Sequence, residues 1–248
     1  MKKLRRLTEA EVIAEFLRGE FFHKEYDADR GRFASMVQNP DLTNATENEI
    51  RRVLLFRRRD TMWWELPEDR QWWEMEFATE DIKLVSVFPR AQWRKIARGN
   101  LRALHVVERI RQLKHSEPDE FVAKISDICG KLPTDLSKGM IILLGINERL
   151  PVTLLEGNHR FIATLLADGA NELKNARMVA VFSPQMEKCC WYKTSLFTLT
   201  RCLKNRIKHY WDRDTDLARL LAAETGTPGF SDYSGEPASV KPGSVKSK

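Results

Sequence analysis

A chain of 248 residues, 42% hydrophobic and 31% charged, can bury a sizeable core and has the composition of a soluble globular protein. Its longest apolar runs, such as Met140–Ile146, are far too short to cross a bilayer. The net charge of +6 favours anionic partners without singling out nucleic acid. The basic start MKKLRRLTEAE turns acidic where a signal peptide needs an apolar stretch, which points to the cytoplasm and to no membrane partner.

Thr8 with Glu11, and Thr46 with Glu49, fit the capping box, in which a hydroxyl and a carboxylate satisfy each other's orphan amides. Val12, Ile13, Phe16 and Leu17 follow the first on one helical face, and Ile50, Val53 and Leu54 follow the second. A polar, turn-rich stretch with Asn39-Pro40-Asp41 separates them. Residues 72–77 (WWEMEF) alternate and predict a half-buried strand. From Glu80 to about Leu132 the pattern is mostly helical, with breaks near Pro89, Gly99-Asn100 and Ser116–Pro118. Met140–Ile146 and Val152–Glu156 read as a β-hairpin, Phe161–Leu166 as a helix ending near Gly169, and Met178–Phe182 as a strand. Ser195–Trp211 is a helix with Leu196, Leu199, Leu203 and Ile207 on one stripe. The Gly/Pro/Ser-rich tail from Gly226 is expected to be disordered.

Between the hairpin and the next helix stand five polar residues, Glu156, Gly157, Asn158, His159 and Arg160. A helix start offers unpaired amides and the positive end of a dipole. Gly157 would admit a ligand to the backbone, Asn158 is a good N-cap type, and Arg160 can grip an oxyanion with two parallel bonds. These residues suit phosphate, and Glu156 beside them can meet a sugar hydroxyl, hold magnesium or act as a base. A plainer alternative stays open: an Asn-capped helix start with Arg160 paired to Glu156.

The order hairpin, Gly-x-x-Arg, helix, strand over Met140–Phe182 resembles the ParB/sulfiredoxin superfamily. Gly157 and Arg160 fall on the fixed positions of that family's phosphate motif, and Ala163 on a small helix position. The strand at 72–77, with Thr79–Ile82 after it, is similar to the family's opening strand and its turn. The resemblance implies an α/β fold with a small mixed sheet in residues 70–183 and a helical insertion at about 90–132. Helical regions at 1–69 and 184–225 would wrap it, with the tail at 226–248. It implies a site for a nucleotide or phosphorylated small molecule, with magnesium as an accompanying ion. Gly157, Asn158, His159 and Arg160 would bind phosphate, and Glu156 and His159 would be the catalytic pair of a phosphotransferase or nucleotide hydrolase. Sulfiredoxins carry a catalytic cysteine where Asn158 stands, so sulfinic-acid reduction by that route is not expected. Asn158 and His159 also replace the acid and second arginine usual in ParB proteins. Free-serine kinases of the superfamily share the histidine before the arginine, and Glu74 and Glu76 are the candidates for their catalytic glutamate. A non-enzymatic DNA-binding or nucleotide-switched regulator is the alternative.

Other features read as structural. Trp63-Trp64 and Trp72-Trp73 are expected to fill or cover the core more than to stack bases. Arg51, Arg52 and Arg57–Arg59 suit a solvated helix end, as do Arg201, Lys204, Arg206 and Lys208. His23 with Glu25, Asp27 and Asp29 matches no metal spacing, and Cys129, Cys189, Cys190 and Cys202 read as reduced, mostly buried thiols.

Overall fold

The computed structural model describes residues 1–113, 120–130, 139–167 and 169–210. The side chains of the Arg57–Arg59 run and the tail from Gly226 lie outside the described residues. The strands are β1 (Lys2–Leu7), β2 (Gln71–Glu76), β3 (Val85–Ser86), β4 (Ile141–Gly145), β5 (Val152–Glu156) and β6 (Met178–Phe182). Among the described residues they form one sheet in the order β1-β2-β6-β4-β5-β3. The pairs β1/β2, β2/β6 and β4/β5 are antiparallel, while β6/β4 and β5/β3 are parallel. Eight α-helices accompany them among the described residues: α1 (Glu9–Glu20), α2 (Asp27–Gln38), α3 (Ala45–Trp63), α4 (Ala91–Ala97), α5 (Ala103–Leu113), α6 (Glu120–Cys129), α7 (Asn158–Leu166) and α8 (Leu196–Tyr210). This is an α/β protein, as the alternation of patterns implies.

The central strands IILLG and MVAVF are buried at every residue. Both faces of the sheet are therefore covered, which explains unbroken apolar runs where a one-sided strand would alternate. Trp63 and Trp72 stack with centroids 5.2 Å apart and are both 3% exposed, so that pair is core. The other tryptophan on β2, Trp73, is half-buried beneath the Lys3 ammonium. Phe161 of α7 meets Phe77 edge-on at 5.9 Å, and α7 packs against α5 and α6. Phe161, Ile162 and Leu165 are all buried, each contributing about 1.5–3 kcal/mol. The start of α7 is thus held firmly.

Four expectations change. Residues 1–69 are not purely helical, because Lys2–Leu7 is an edge strand. It lacks an apolar face and is matched instead by charge: Lys2 pairs with Glu76 at 3.1 Å and Arg5 with Glu74 at 2.8 Å. A bulge at Leu4 breaks its register, and its lysines and arginines blunt an exposed edge. The turn-rich stretch before α3 contains α2, whose apolar face is little more than Phe33 and Val37. The second capping box fails, since Asn44 Oδ1 accepts the Glu47 amide at 3.1 Å and Thr46 lies inside the first turn. Arg51 is not solvated but fully buried. Its guanidinium is committed to Glu47, Asn48 and the carbonyls of Met36 and Asp41.

The segment after Glu80 is helical in α4, α5 and α6 but opens on a 3-10 turn and the short strand β3. One helix defies the usual direction of burial. The α8 stripe exists as its period predicts, yet Leu196, Leu199, Leu203 and Ile207 are 84%, 48%, 60% and 61% exposed.

Candidate functional site

Strand β5 ends at Glu156, and the chain turns through Gly157 at φ 82°, ψ 15°, a left-handed conformation that favours glycine. A Cβ there would sit 2.9 Å from Ile141 Cγ1 and 3.2 Å from its Cα. The space that a ligand was expected to use is therefore filled by the neighbouring strand. Glu156 Oε1 accepts the Gly157 N–H at 3.1 Å.

Gly157, not Asn158, holds the N-cap position, and no side chain caps the helix. Asn158 is 8% exposed. Its Oδ1 accepts the buried Phe88 N–H at 2.8 Å and its amide donates to the Leu154 carbonyl at 3.4 Å. It ties the segment after β3 to the end of β5. Asn158→Ala leaves the Phe88 N–H without an acceptor, so urea unfolding should show a loss of roughly 1–3 kcal/mol. An unchanged midpoint would remove this tether from the account.

Arg160 lies with its guanidinium over Gly139, where a Cβ would be 2.7 Å from Nη1. Its Nη2 donates to the Met140 carbonyl at 3.0 Å, which leaves further donors of the five-donor fork. The pairing of Arg160 with Glu156 gives way to these two separate anchors. The His159 ring packs in a three-ring cluster with Trp93 and Phe121, with centroids 5.2 Å and 5.1 Å away. Its Nε2 is buried and has no hydrogen-bond partner among the described residues. Burial lowers its pKa from 6.5 to about 4; the positive charges of Lys124 and Arg90 push the same way and Glu156 opposes them. The imidazole is neutral at neutral pH, a hydrogen-bonding group rather than a cation.

These residues line a cleft of about 430 Å³ together with Glu20, His23, Phe88, Arg90, Gln92, Trp93, Lys124, Ile128 and Leu155. The cations Arg90, Lys124 and Arg160 reach it from three segments: the loop before α4, α6 and α7. Glu20 and Glu156 are its carboxylates, the hard oxygen ligands a magnesium ion would use. The amides of Asn158, His159 and Arg160 have no acceptor among the described residues. Sequence reasoning named the five contiguous residues and missed Arg90, Trp93 and Lys124, which no local pattern marks.

Glu74 and Glu76 do not join this cleft. They border a separate hollow of about 630 Å³ beside β1. Glu74 pairs there with Arg5 at 2.8 Å and with Arg177 at 3.6 Å. His23 lies at the rim of the motif cleft, 3.6 Å from Glu20. Cys189 and Cys190 are buried and all four cysteines are free thiols. Comparison of the chain with protein-family models, with curated proteins and with solved structures finds no match.

Proposed function

We propose that the protein binds a phosphorylated small molecule, a nucleotide or a phosphometabolite, in the cleft at the start of α7. The observation that carries the reading is the convergence of Arg90, Lys124 and Arg160 on one helix start. Cations from separate segments and unpaired amides together suit an oxyanion better than either does alone. The likeness of Gly157–Arg160 to the Gly-x-x-Arg motif points the same way.

In this reading Arg160 and the α7 amides hold phosphate oxygens, while Arg90 and Lys124 close on them from the other wall. Neutral His159 donates a hydrogen bond and does not serve as a proton reservoir at neutral pH. Glu156 and Glu20 would hold a magnesium ion, which would supply positive charge to offset the phosphate, and the cations and amides of the cleft would position the group for phosphoryl transfer or hydrolysis. Binding without turnover would make the protein a nucleotide-responsive regulator.

The test is thermal unfolding against ATP, ADP, CTP, GTP and phosphate, with and without magnesium. A ligand at a hundred times its dissociation constant adds about 2.7 kcal/mol, which raises the midpoint of a chain this size by roughly 5–10 °C. Lys124 is exposed, so Lys124→Ala should leave the unliganded midpoint in place and shrink the shift. Arg160→Ala should abolish it. A shift that survives both substitutions, or no shift with any of these ligands, would overturn the reading.

A further inference from the structure

Helix α8 docks with an unusual face. Its inward residues are Thr198 and Cys202, 2% and 8% exposed, and Asn205, whose amide donates to Glu65 Oε1 at 3.0 Å. Its leucines point to solvent, so burial of an apolar stripe is not what fastens it. Beneath it lie Cys190, just past β6, and Glu65, just past α3. The ligand atoms of Glu65, Cys190 and Cys202 lie within 4.8 Å of one another and all three residues are buried.

Glu65 is the odd member. It is 1% exposed, and its Oε2 is buried with no donor beside it stronger than the weak Cys202 thiol. A carboxylate oxygen left unsatisfied in a core is costly, and here the neighbouring groups are two sulfurs rather than a guanidinium or ammonium. Four atoms held about 2.3 Å from one tetrahedral ion are roughly 3.8 Å apart, a spacing inside the limit this cluster meets.

We propose that Glu65, Cys190 and Cys202 bind a zinc ion that clamps α8 to the body of the protein. Two thiolates and a carboxylate are a borderline-soft donor set, which suits zinc and not magnesium or calcium. On binding, each Cys S–H releases its proton to solvent as its Zn–S bond forms, and no electron is transferred. The carboxylate oxygen gains the cation it lacks. Three protein ligands leave the fourth position to water. The site is distinct from the α7 cleft, whose lining contains none of the three residues.

The experiment uses the full chain, reduced with a phosphine, dialysed against a chelator and titrated with Co²⁺ followed by Zn²⁺. One equivalent of Co²⁺ should produce thiolate-to-cobalt charge-transfer absorption and tetrahedral visible bands, and Zn²⁺ should erase them. Cys190→Ser and Cys202→Ser should each weaken binding by at least roughly 100-fold, beyond the effect of outer-shell partners. Cys129→Ser, a thiol on α6, should change nothing. Glu65→Gln keeps the side-chain size, so it remains informative if a serine variant fails to fold: charge-transfer bands persist but binding weakens. The proposal is overturned if reduced protein gives no charge-transfer band, or if Cys202→Ser leaves the Co²⁺ affinity and band intensity unchanged. A Cys190–Cys202 disulfide in the purified chain would overturn it as well.

Discussion

Gly157→Ala will lower the thermal midpoint by roughly 5–15 °C, the size expected for a loss of about 2–5 kcal/mol in a chain of this length. Two effects add. The backbone sits at φ 82°, where a Cβ costs about 1–2 kcal/mol. The new methyl would also press on Ile141 at 2.9 Å from Cγ1 and 3.2 Å from Cα. The Cα belongs to a paired central strand and cannot swing aside, so overpacking of about 1–3 kcal/mol follows. Gly99 supplies the internal control. Its φ is 96°, but nothing lies within 4 Å of its Cβ position, so Gly99→Ala should show only the conformational part. If both variants unfold at the same temperature, the contact between Gly157 and Ile141 is wrong.

That result would also separate two reasons for a glycine. The turn from β5 into α7 needs Gly157 for its own packing, whatever binds nearby. The glycine is thus weak support for a phosphate site, and the weight rests on the cations that surround it.

The sequence announces elements whose pattern survives folding: the hairpin, the stripe of α7 and the apolar run of β6, while β2 forms where expected but its burial does not alternate, Trp72 being buried and Trp73 half-buried. It hides those held together by partners distant in the chain. β1 reads as a charged leader because its matching acids, Glu74 and Glu76, lie some seventy residues on. The same acids look catalytic in isolation and become ion-pair partners once β1 is beside them. Arg51 looks like a surface cation because the carbonyls that receive it belong to α2 and the loop after it. The stripe of α8 is legible as a period, but a period does not say which way it faces. Glu156 to Arg160 could be found because they are contiguous. Arg90 and Lys124 could not, since only the packing of α4 and α6 around α7 brings them near. Asn158 carries the opposite lesson. Its type suits a cap or a ligand contact, and the fold uses it to join the segment after β3 to strand β5.

His159 should make stability depend on pH in a window fixed by its burial. Its pKa is 6.5 in the unfolded chain and about 4 in the folded protein. Between these values the unfolded state binds more protons, so folding stability is fully present above pH 6.5 and is lost as pH falls toward 4. The separation corresponds to about 3 kcal/mol. Attraction of an imidazolium to the Trp93 and Phe121 rings can offset ~1–2 kcal/mol of this, so the net loss is expected at roughly 1–3 kcal/mol. Lys124 and Arg90 keep it from vanishing, because both disfavour the charged ring. Urea unfolding of wild type and His159→Phe from pH 7.5 to 4 isolates the effect, since every other group titrates in both. Phenylalanine retains the three-ring cluster with Trp93 and Phe121 and removes a nitrogen that has no partner, so at neutral pH the variant should be as stable as wild type or slightly more so. Below pH 6 the two curves should diverge, with wild type losing more. Parallel curves would mean that the folded protein accepts the proton freely and that His159 is solvated. If the curves diverge as expected, the same folded variant then tests the cleft, because a phosphate ligand that takes its hydrogen bond from His159 will shift the midpoint of His159→Phe less.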